Sequence, residues 1–279
     1  MNRLENVLDS NTLRPADALT AAEHTGHDGD PDFMASLAKG LRVIRAFAGI
    51  NRRLTITEIS RATGITRAAV RRCLYTLREL RYVANEGHAY FLQPKVLELG
   101  FAYVSTASIP IAAQPVLEEL SGQLHDTAAS VAVLDEESVV YVARAASRRN
   151  PAVGVGSRLP AYCTALGRVL LASLPQEQAG TQLAQFELVP RTPFTVTSRQ
   201  RLEEILRQVR CDSYALNDQE LTVGQRSIAV PVRNAAGTTV AAMSVSTEVA
   251  RVSRRQLLEN DLPLLKTAAV RLGRQLSTA

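Results

Sequence analysis

The chain has 279 residues, a mass of 30.3 kDa and a net charge of +5. This length is sufficient for two domains of ordinary size, each with its own core. No apolar run approaches the roughly 20 residues that span a bilayer, and the first residues lack the apolar segment of a signal peptide, so we expect a cytoplasmic protein with no membrane partner.

The positive charge is concentrated in one part of the chain. Residues 1–38 carry seven acidic and two basic side chains, whereas residues 39–81 carry eleven basic and two acidic ones. Residues 1–32 also have few large apolar residues, which predicts a flexible acidic tail. A cationic segment of this kind is typical of a domain that neutralises DNA phosphates.

Cysteine and histidine usage argues against a metal site. Cys73, Cys163 and Cys211 are far apart, and no histidine lies at a spacing that would complete a zinc site. We therefore expect free thiols, no metal and no cofactor.

Residues 33–93 predict a winged helix-turn-helix domain. Its first helix is an amphipathic segment over residues 34–48, which we expect to end at Gly49. In the next helix, Thr55 and Glu58 have the spacing of a capping box, and Gly64 suits the left-handed conformation that closes a helix.

The helix that begins after Thr66 is the predicted DNA reader. Thr66 has the position of an N-cap, and a period of 100° per residue places Val70, Leu74 and Leu77 on the inner face. Arginines on the outer face could pair with guanine or phosphate in the major groove, although a solvated basic face is the alternative. The predicted contacts on this helix are Thr66, Arg67, Ala68, Arg71, Arg72 and Tyr75.

The segments beside this helix predict further DNA contacts. Arg52 and Arg53 form a basic loop that suits phosphate binding. Strand-like runs on either side of residues 85–87 predict a β-hairpin, the wing, with His88 as a contact. Residues 94–109 predict a linker helix, which we expect the Ile109-Pro110 pair to break.

Residues 110–279 predict an α+β domain with an antiparallel sheet. Strand-like runs flank turns at residues 135–137 and 234–237, which predicts two hairpins. A short strand over residues 153–155 leads into residues 156–160, which we expect to be irregular. Helices are predicted after the N-caps Thr164 and Ser198 and over residues 252–276.

Several motifs occur in the order typical of one family. They are FMASLAKGLRVIRAF, TITEISRATGITRAAVRRCLYTLRELRYV, QPKVLELGFAYVS, VGSRLPAYCTALGRVLLA, LNDQE and RSIAVPV. Together they resemble the IclR family of bacterial transcription regulators from about residue 33 to the end. The likeness is strongest to the branch that regulates aromatic-acid breakdown, the PcaR, PcaU and PobR type.

The resemblance implies a fold and a set of partners. It implies a winged helix-turn-helix domain, a linker helix and a GAF-like effector domain. The partners would be operator DNA, a small aromatic or dicarboxylic acid such as protocatechuate or 4-hydroxybenzoate, and a second copy of the chain. A dimer of dimers on DNA is the alternative assembly, and RNA polymerase would be a further partner of an activator, the usual role in this branch.

The same resemblance implies an effector site. The amides at the start of a helix suit a carboxylate, which favours Thr164, Ala165 and Leu166. Ser244 and Ser246, two apart on a strand, face one side, although a solvated face is the alternative. Asn217 and Ser227 are further candidates, because they stand at positions where relatives have other polar residues. Arg144 and Tyr162 are the last two candidates, and for them a structural role is equally consistent with the sequence. Residues 147–153 depart from the family pattern, so no site residue is assigned there.

Two other functional classes fit parts of the sequence. A ligand-independent architectural DNA-binding protein would have little use for the second domain. An enzyme acting on small acids or esters would need an activated nucleophile, and neither Ser157 nor the cysteines lie at a spacing that indicates a base. We therefore predict a transcription regulator that is not an enzyme.

Overall fold

The computed structural model describes residues 30–48, 53–124, 127–145 and 153–276. The predicted acidic tail up to Gly29, Arg52 and the divergent segment 147–152 lie outside the described residues. The chain divides into two compact units, Met1–Ala102 and Tyr103–Ala279.

The first unit contains three helices and a small sheet. Its helices are α1 (Ala35–Arg45), α2 (Ile56–Thr63) and α3 (Arg67–Glu79), and its strands are β1 (Leu54–Thr55), β2 (Val83–Glu86) and β3 (Ala89–Leu92). The strands form an antiparallel sheet in the order β1-β3-β2. This arrangement confirms the predicted winged helix-turn-helix.

Local capping accounts for the boundaries of α2 and α3. The Thr55 side chain accepts from the Glu58 amide while Glu58 reaches back to the Thr55 amide, a complete capping box. Gly64 closes α2 with a φ of 69°, and the Thr66 side chain accepts from the Ala69 amide at the start of α3. Each cap stabilises its helix by about 0.5–2 kcal/mol.

The structure corrects three details of this unit. Helix α1 ends at Arg45 rather than at Gly49, because the amides of Phe47 and Ala48 donate to carbonyls three residues back instead of four. Strand β1 was not expected, since two residues are too few to show a period. Glu86 pairs with Ala89, so the hairpin turn is Gly87-His88 and lies later than the predicted turn.

The second unit places helices on both faces of a six-stranded antiparallel sheet, in the order β6-β5-β4-β9-β8-β7. This confirms the predicted α+β fold with an antiparallel sheet. The strands are β4 (Ala128–Asp135), β5 (Ser138–Arg144), β6 (Arg158–Pro160), β7 (Ala215–Asp218), β8 (Gln225–Arg233) and β9 (Thr239–Glu248). The helices are α5 (Ser108–Gln123), α6 (Ala165–Ser173), α7 (Gln176–Gln185), α8 (Arg199–Asp212), α9 (Arg254–Gln256) and α10 (Leu262–Gln275).

Two apolar clusters define the faces of this sheet. One cluster joins α5 and α10 to alternate strand residues that include Val131, Met243 and Val245. The other joins α6, α7 and α8 to residues that include Ala132, Ala229 and Ala242. Because successive strand residues point to opposite faces, this division shows which side chains lie under α6.

The strands of the second unit differ from the predicted ones in two places. The predicted strand over residues 153–155 is wrong, because Val155 and Gly156 form a turn and the strand is Arg158–Pro160, within the segment expected to be irregular. Pro160 is tolerated because β6 is an edge strand. Strand β7 was not expected, because its four residues lie directly after α8.

The helix predictions needed two further corrections. The helix α4 (Leu97–Thr106) ends before Ala107, and Ile109-Pro110 lies in the first turn of α5, where proline is accepted because its missing N–H would have no helical partner. The predicted closing helix consists of α9, a π-helical turn over Leu257–Asp261, and α10.

Candidate functional site

The outer face of α3 is exposed and cationic, as predicted. Val70 and Leu74 are fully buried beneath it, which fixes how the helix is rotated. Within the described chain, the guanidinium groups of Arg67, Arg71 and Arg72 form no ion pair, so their charge is available to a ligand. The exposed residues on this face are Arg67, Ala68, Arg71, Arg72 and Tyr75.

The wing carries the remaining predicted DNA contacts. His88 is exposed in the two-residue turn of the hairpin. Arg53 forms an ion pair with Glu86 (Nη1–Oε2 2.5 Å), and its guanidinium lies 4.7 Å from the Phe91 ring centroid. The pair lowers the pKa of Glu86 and raises that of Arg53 through a direct hydrogen bond. Arg53 is therefore tied to the hairpin, and its charge is partly neutralised.

The predicted effector residues of the sheet lie on the face that α6 covers. Across the strands, Asn217 pairs with Ser227 and Ser227 pairs with Ser246. In the neighbouring row, Ser244 pairs with Ser130, and Ser130 pairs with Arg144. Residues directly opposite each other in antiparallel strands point to the same face, so the two rows form one polar surface.

This polar surface includes the hydroxyl groups of two buried serines that have no hydrogen-bond partner in the described chain. Ser130 and Ser244 are only 2% and 4% exposed. No hydrogen bond within the described chain engages either hydroxyl, and neither oxygen is among the fully shielded side-chain atoms that lack a partner, so both can be reached by a small bound molecule. Each hydroxyl can donate and accept a hydrogen bond, so the pair is free to bind a ligand or a water molecule. Ser130 was not among the predicted residues, because it lies in the apolar run of β4 with no second serine two residues away.

The N-terminus of α6 lies against the same face. Ala165 and Leu166 belong to one apolar cluster with Ala229 and Ala242 of the sheet. The Thr164 side chain accepts from the Gly167 amide. No hydrogen bond of the described chain engages the amides of Ala165 and Leu166. These two donors and the helix dipole favour an anion at this end.

Hydrogen bonds hold the turn before α6 in place. Asn217 Nδ2 donates to the Cys163 carbonyl at 2.8 Å, and the Tyr162 hydroxyl donates to the Val189 carbonyl at 2.5 Å. Tyr162 is 3% exposed, and burial raises its pKa to about 12. Both residues therefore have a positioning role, and Asn217 uses a donor that an aspartate would lack.

A buried ion pair that the sequence did not reveal supports the same turn. Arg168 of α6 forms two hydrogen bonds with Glu220, at 2.5 Å and 2.7 Å, and the side chains are 3% and 9% exposed. Arg168 Nε also donates to the Tyr162 carbonyl. Glu220 accepts from the Val196 amide. The two residues are 52 positions apart, so no local pattern could have paired them.

Tyr141 and Arg144 lie at the β5 side of the polar surface. Tyr141 is opposite Ala132 in the row next to Ser130. Burial raises the pKa of Tyr141 to about 12, and burial lowers that of Arg144. The Tyr141 phenol is therefore a neutral hydroxyl at physiological pH.

The described residues contain no cluster of three or more His, Cys, Asp and Glu that could hold a metal ion. Cys73, Cys163 and Cys211 are free, and burial raises the pKa of the Cys163 thiol to about 12.

Among the described residues, no single helix is long and apolar enough to cross a membrane. The bent pair of helices Pro94–Thr106 and Ser108–Gln123 reaches that length and composition only when the two are taken together.

A winged helix-turn-helix unit and a second unit with a buried polar face together define a ligand-responsive transcription regulator. Residues 36–87 match the IclR helix-turn-helix domain, and residues 101–274 match the C-terminal domain of the bacterial transcriptional regulator IclR. The chain belongs to the IclR family.

Three relatives indicate the branch. The Pca regulon regulatory protein of Pseudomonas putida is 47% identical over 89% of this chain and 86% of its own length. The p-hydroxybenzoate hydroxylase transcriptional activator of Acinetobacter baylyi is 38% identical over 85% and 90%. The inducer-binding domain of a PobR double mutant from Acinetobacter, solved with 3-hydroxybenzoic acid, is 36% identical with a TM-score of 0.56 over 60% of this chain and 98% of that domain. These relatives confirm the resemblance to the Pca and PobR branch.

Proposed function

We propose that the protein regulates transcription of genes for aromatic-compound breakdown, and that an aromatic acid bound under α6 controls its operator binding. The observation that carries this proposal is the pair of buried hydroxyls of Ser130 and Ser244, which have no hydrogen-bond partner in the described chain. Polar groups in a protein core are normally hydrogen-bonded, and an aromatic acid that reaches these two hydroxyls would supply the partner.

The chemistry of the surface favours a carboxylate with a polar ring. The carboxylate suits the amides of Ala165 and Leu166, because the helix dipole stabilises an anion there. The uncharged serines suit ring hydroxyls. The PobR domain complex with 3-hydroxybenzoic acid supports this ligand class, and protocatechuate and 4-hydroxybenzoate are the first compounds to test.

For DNA binding, we propose that α3 enters the major groove. Arg67, Arg71 and Arg72 would contact bases or phosphates, and the wing would place His88 on the neighbouring backbone. The exposed and unpaired arginines of α3 support this assignment.

We also propose a homodimer, with a dimer of dimers on DNA as the larger assembly and RNA polymerase as the partner of an activator. The Acinetobacter baylyi relative is a p-hydroxybenzoate hydroxylase transcriptional activator, which supports that sign of regulation. Residues 94–109 would act as the linker between a DNA-binding domain over residues 33–93 and an effector domain over residues 110–279.

Two alternatives are less well supported: an enzyme acting on small acids or esters, and a ligand-independent DNA-binding protein. The Ser157 hydroxyl accepts from the Gly154 amide at 2.9 Å, which stabilises a turn. The Cys163 thiol is buried, and its raised pKa keeps it protonated. Neither group is an activated nucleophile. A ligand-independent DNA binder would gain nothing from unpartnered hydroxyls in a core.

The experiment is a thermal-shift and calorimetric titration of the full chain with a panel of aromatic and dicarboxylic acids. We expect at least one acid to raise the melting temperature, because a ligand that binds only the folded state stabilises it. The Ser244→Ala, Ser246→Ala double variant should lose this response and still bind operator DNA. A panel that gives no shift with the wild type would contradict ligand control.

A further inference from the structure

The strongest unassigned feature is the hydroxyl of Ser130 at the centre of the second sheet. Ser130 lies on β4 between Ser244 of β9 and Arg144 of β5 in the register. Ala129 and Val131, its neighbours in the chain, belong to the cluster on the α5 and α10 side. Ser130 therefore points to the α6 face, together with Ser244.

The surroundings of this serine pair are unusually small for a sheet face beneath a helix. On the four strands β7, β8, β9 and β4, the face that carries Ser130 and Ser244 also carries five alanines, namely Ala215, Ala229, Ala242, Ala132 and Ala128, beside the polar row of Asn217, Ser227 and Ser246. Alanine has the smallest side chain that presents an apolar surface here, which favours a flat ring as the bound group. The unpartnered serines distinguish this face from ordinary close packing, because alanine would fill either position without burying a polar atom.

The serine pair has a defined recognition chemistry. Side chains opposite each other across antiparallel strands have Cβ atoms about 4.5–5.5 Å apart. Each serine hydroxyl both donates and accepts. Two neutral hydroxyls at that spacing suit two adjacent ring hydroxyls better than one.

We propose that Ser130 is a specificity-determining residue of the ligand site, which with Ser244 binds adjacent ring hydroxyls of a dihydroxybenzoate. This inference rests on the proposed function, since it requires an aromatic acid under α6. Ser130 favours a dihydroxybenzoate over a monohydroxybenzoate, because only the dihydroxy acid supplies a partner for both serine hydroxyls.

The test compares two ligands with two variants of the full chain. The probes are 3,4-dihydroxybenzoate and 4-hydroxybenzoate, measured by calorimetry. In Ser130→Ala, we expect affinity for the dihydroxy acid to fall about tenfold, the size of one lost hydrogen bond, and affinity for the monohydroxy acid to change less than about twofold. Ser138→Ala is the matched control, because Ser138 is a half-buried serine of the same sheet and its neighbour Val139 faces α6.

Each result has one meaning. A selective loss for the dihydroxy acid supports the assignment. Equal losses for both acids would make Ser130 a packing residue and overturn its role in specificity, as would unchanged affinities. If the wild type binds neither acid but binds another class, or none, then the proposed ligand itself is wrong. Operator binding and thermal unfolding of Ser130→Ala should match the wild type, which excludes a folding defect as the cause.

Discussion

Gly167 and Ala161 bring α6 and the turn before it into direct backbone contact. A Cβ atom added to Gly167 would lie 2.2 Å from the Ala161 carbonyl oxygen and 2.3 Å from its Cα. Real Cβ atoms do not approach backbone so closely, so any side chain at position 167 must displace the turn. That turn leads directly into the amides of Ala165 and Leu166.

Gly167→Ala is therefore expected to weaken aromatic-acid binding at least about tenfold, because donors shifted by a fraction of an ångström lose hydrogen-bond geometry. Calorimetry with the acid that binds the wild type measures the effect. Gly180→Ala is the matched control, since an added Cβ there meets nothing within 4 Å and Gly180 lies inside α7. We expect the control to bind normally and to gain about 0.5–1 kcal/mol of stability. Equal binding by both variants would contradict the assignment of the carboxylate to this turn.

The buried ion pair of Arg168 and Glu220 predicts an asymmetric response to substitution. Arg168→Ala leaves a carboxylate buried without its cation, so the free energy of unfolding should fall by about 3–5 kcal/mol. The double variant Arg168→Met, Glu220→Leu should recover much of this loss, because an apolar pair incurs no desolvation cost.

Urea unfolding of the full chain provides the measurement. Arg201→Ala is the control, because its pair with Glu204 is exposed and should contribute less than about 1 kcal/mol. Equal losses in Arg168→Ala and Arg201→Ala would show that burial of the first pair has no energetic consequence.

Asn217→Asp tests how a negative charge at position 217 affects binding of an aromatic acid at the proposed ligand site. The variant loses the donor to the Cys163 carbonyl and places a carboxylate near the amides of Ala165 and Leu166, where we propose that the ligand carboxylate binds, so affinity for an aromatic acid should fall about tenfold or more. Asn234→Asp is a matched exchange, because the Asn234 Oδ1 atom accepts from Ala236 and Thr238 and an aspartate keeps that acceptor. Unchanged affinity in Asn217→Asp would remove residue 217 from the ligand site.

Removal of one arginine from α3 should alter how operator binding depends on salt. For Arg71→Ala or Arg72→Ala, the slope of log K against log salt should decrease by about 1 if the guanidinium binds a phosphate. Arg78→Ala is the control, since Arg78 pairs with Glu79 and stacks near Tyr75 at the far end of α3. A gel-shift series at several salt concentrations gives the slopes, and identical slopes for all variants would exclude these arginines from the interface.

The capping box of α2 predicts a pH-dependent contribution to stability. Hydrogen bonds from the Thr55 amide and hydroxyl lower the pKa of Glu58 below 4.5. Because the folded pKa is depressed, this stabilisation is complete above pH 4.5 and is lost as the pH falls through the folded pKa. The difference in unfolding midpoint between the wild type and Glu58→Gln should therefore shrink below pH 4.5. A difference in unfolding midpoint that stays constant down to pH 3 would contradict this role of Glu58. Glu98→Gln serves as the control, because Glu98 lies at an exposed position of α4.

The sequence predicted the elements whose signals are local. The caps at Thr55, Thr66, Thr164 and Ser198 all lie where their spacing placed them, because each cap involves residues at most three positions apart. Strands β1, β6 and β7 have two to four residues, which is too short for an alternation to appear. Their pairing is fixed by neighbouring strands that are distant in sequence.

In the candidate site, too, the residues with a local sequence signal were predicted, and those brought together by distant segments were not. Ser244 and Ser246 were predicted to share a face because residues two apart on a strand do so. Ser130 and the pair of Arg168 and Glu220 required knowledge of which strands and helices meet. Arg53 has the charge expected of a phosphate contact, but its ion pair with Glu86 could not be predicted, because the two residues meet only in the folded hairpin.

The most direct test of the central claim is operator affinity of the full chain with and without the aromatic acid that stabilises it. Ligand and DNA binding to one protein are linked, so the acid must change operator affinity by the same factor by which operator DNA changes affinity for the acid. We expect a change of at least about fivefold in the wild type, the lower end of typical coupling, and none in the Ser244→Ala, Ser246→Ala variant. A saturating acid that leaves wild-type operator affinity unchanged would contradict the assignment of this protein as a ligand-controlled regulator.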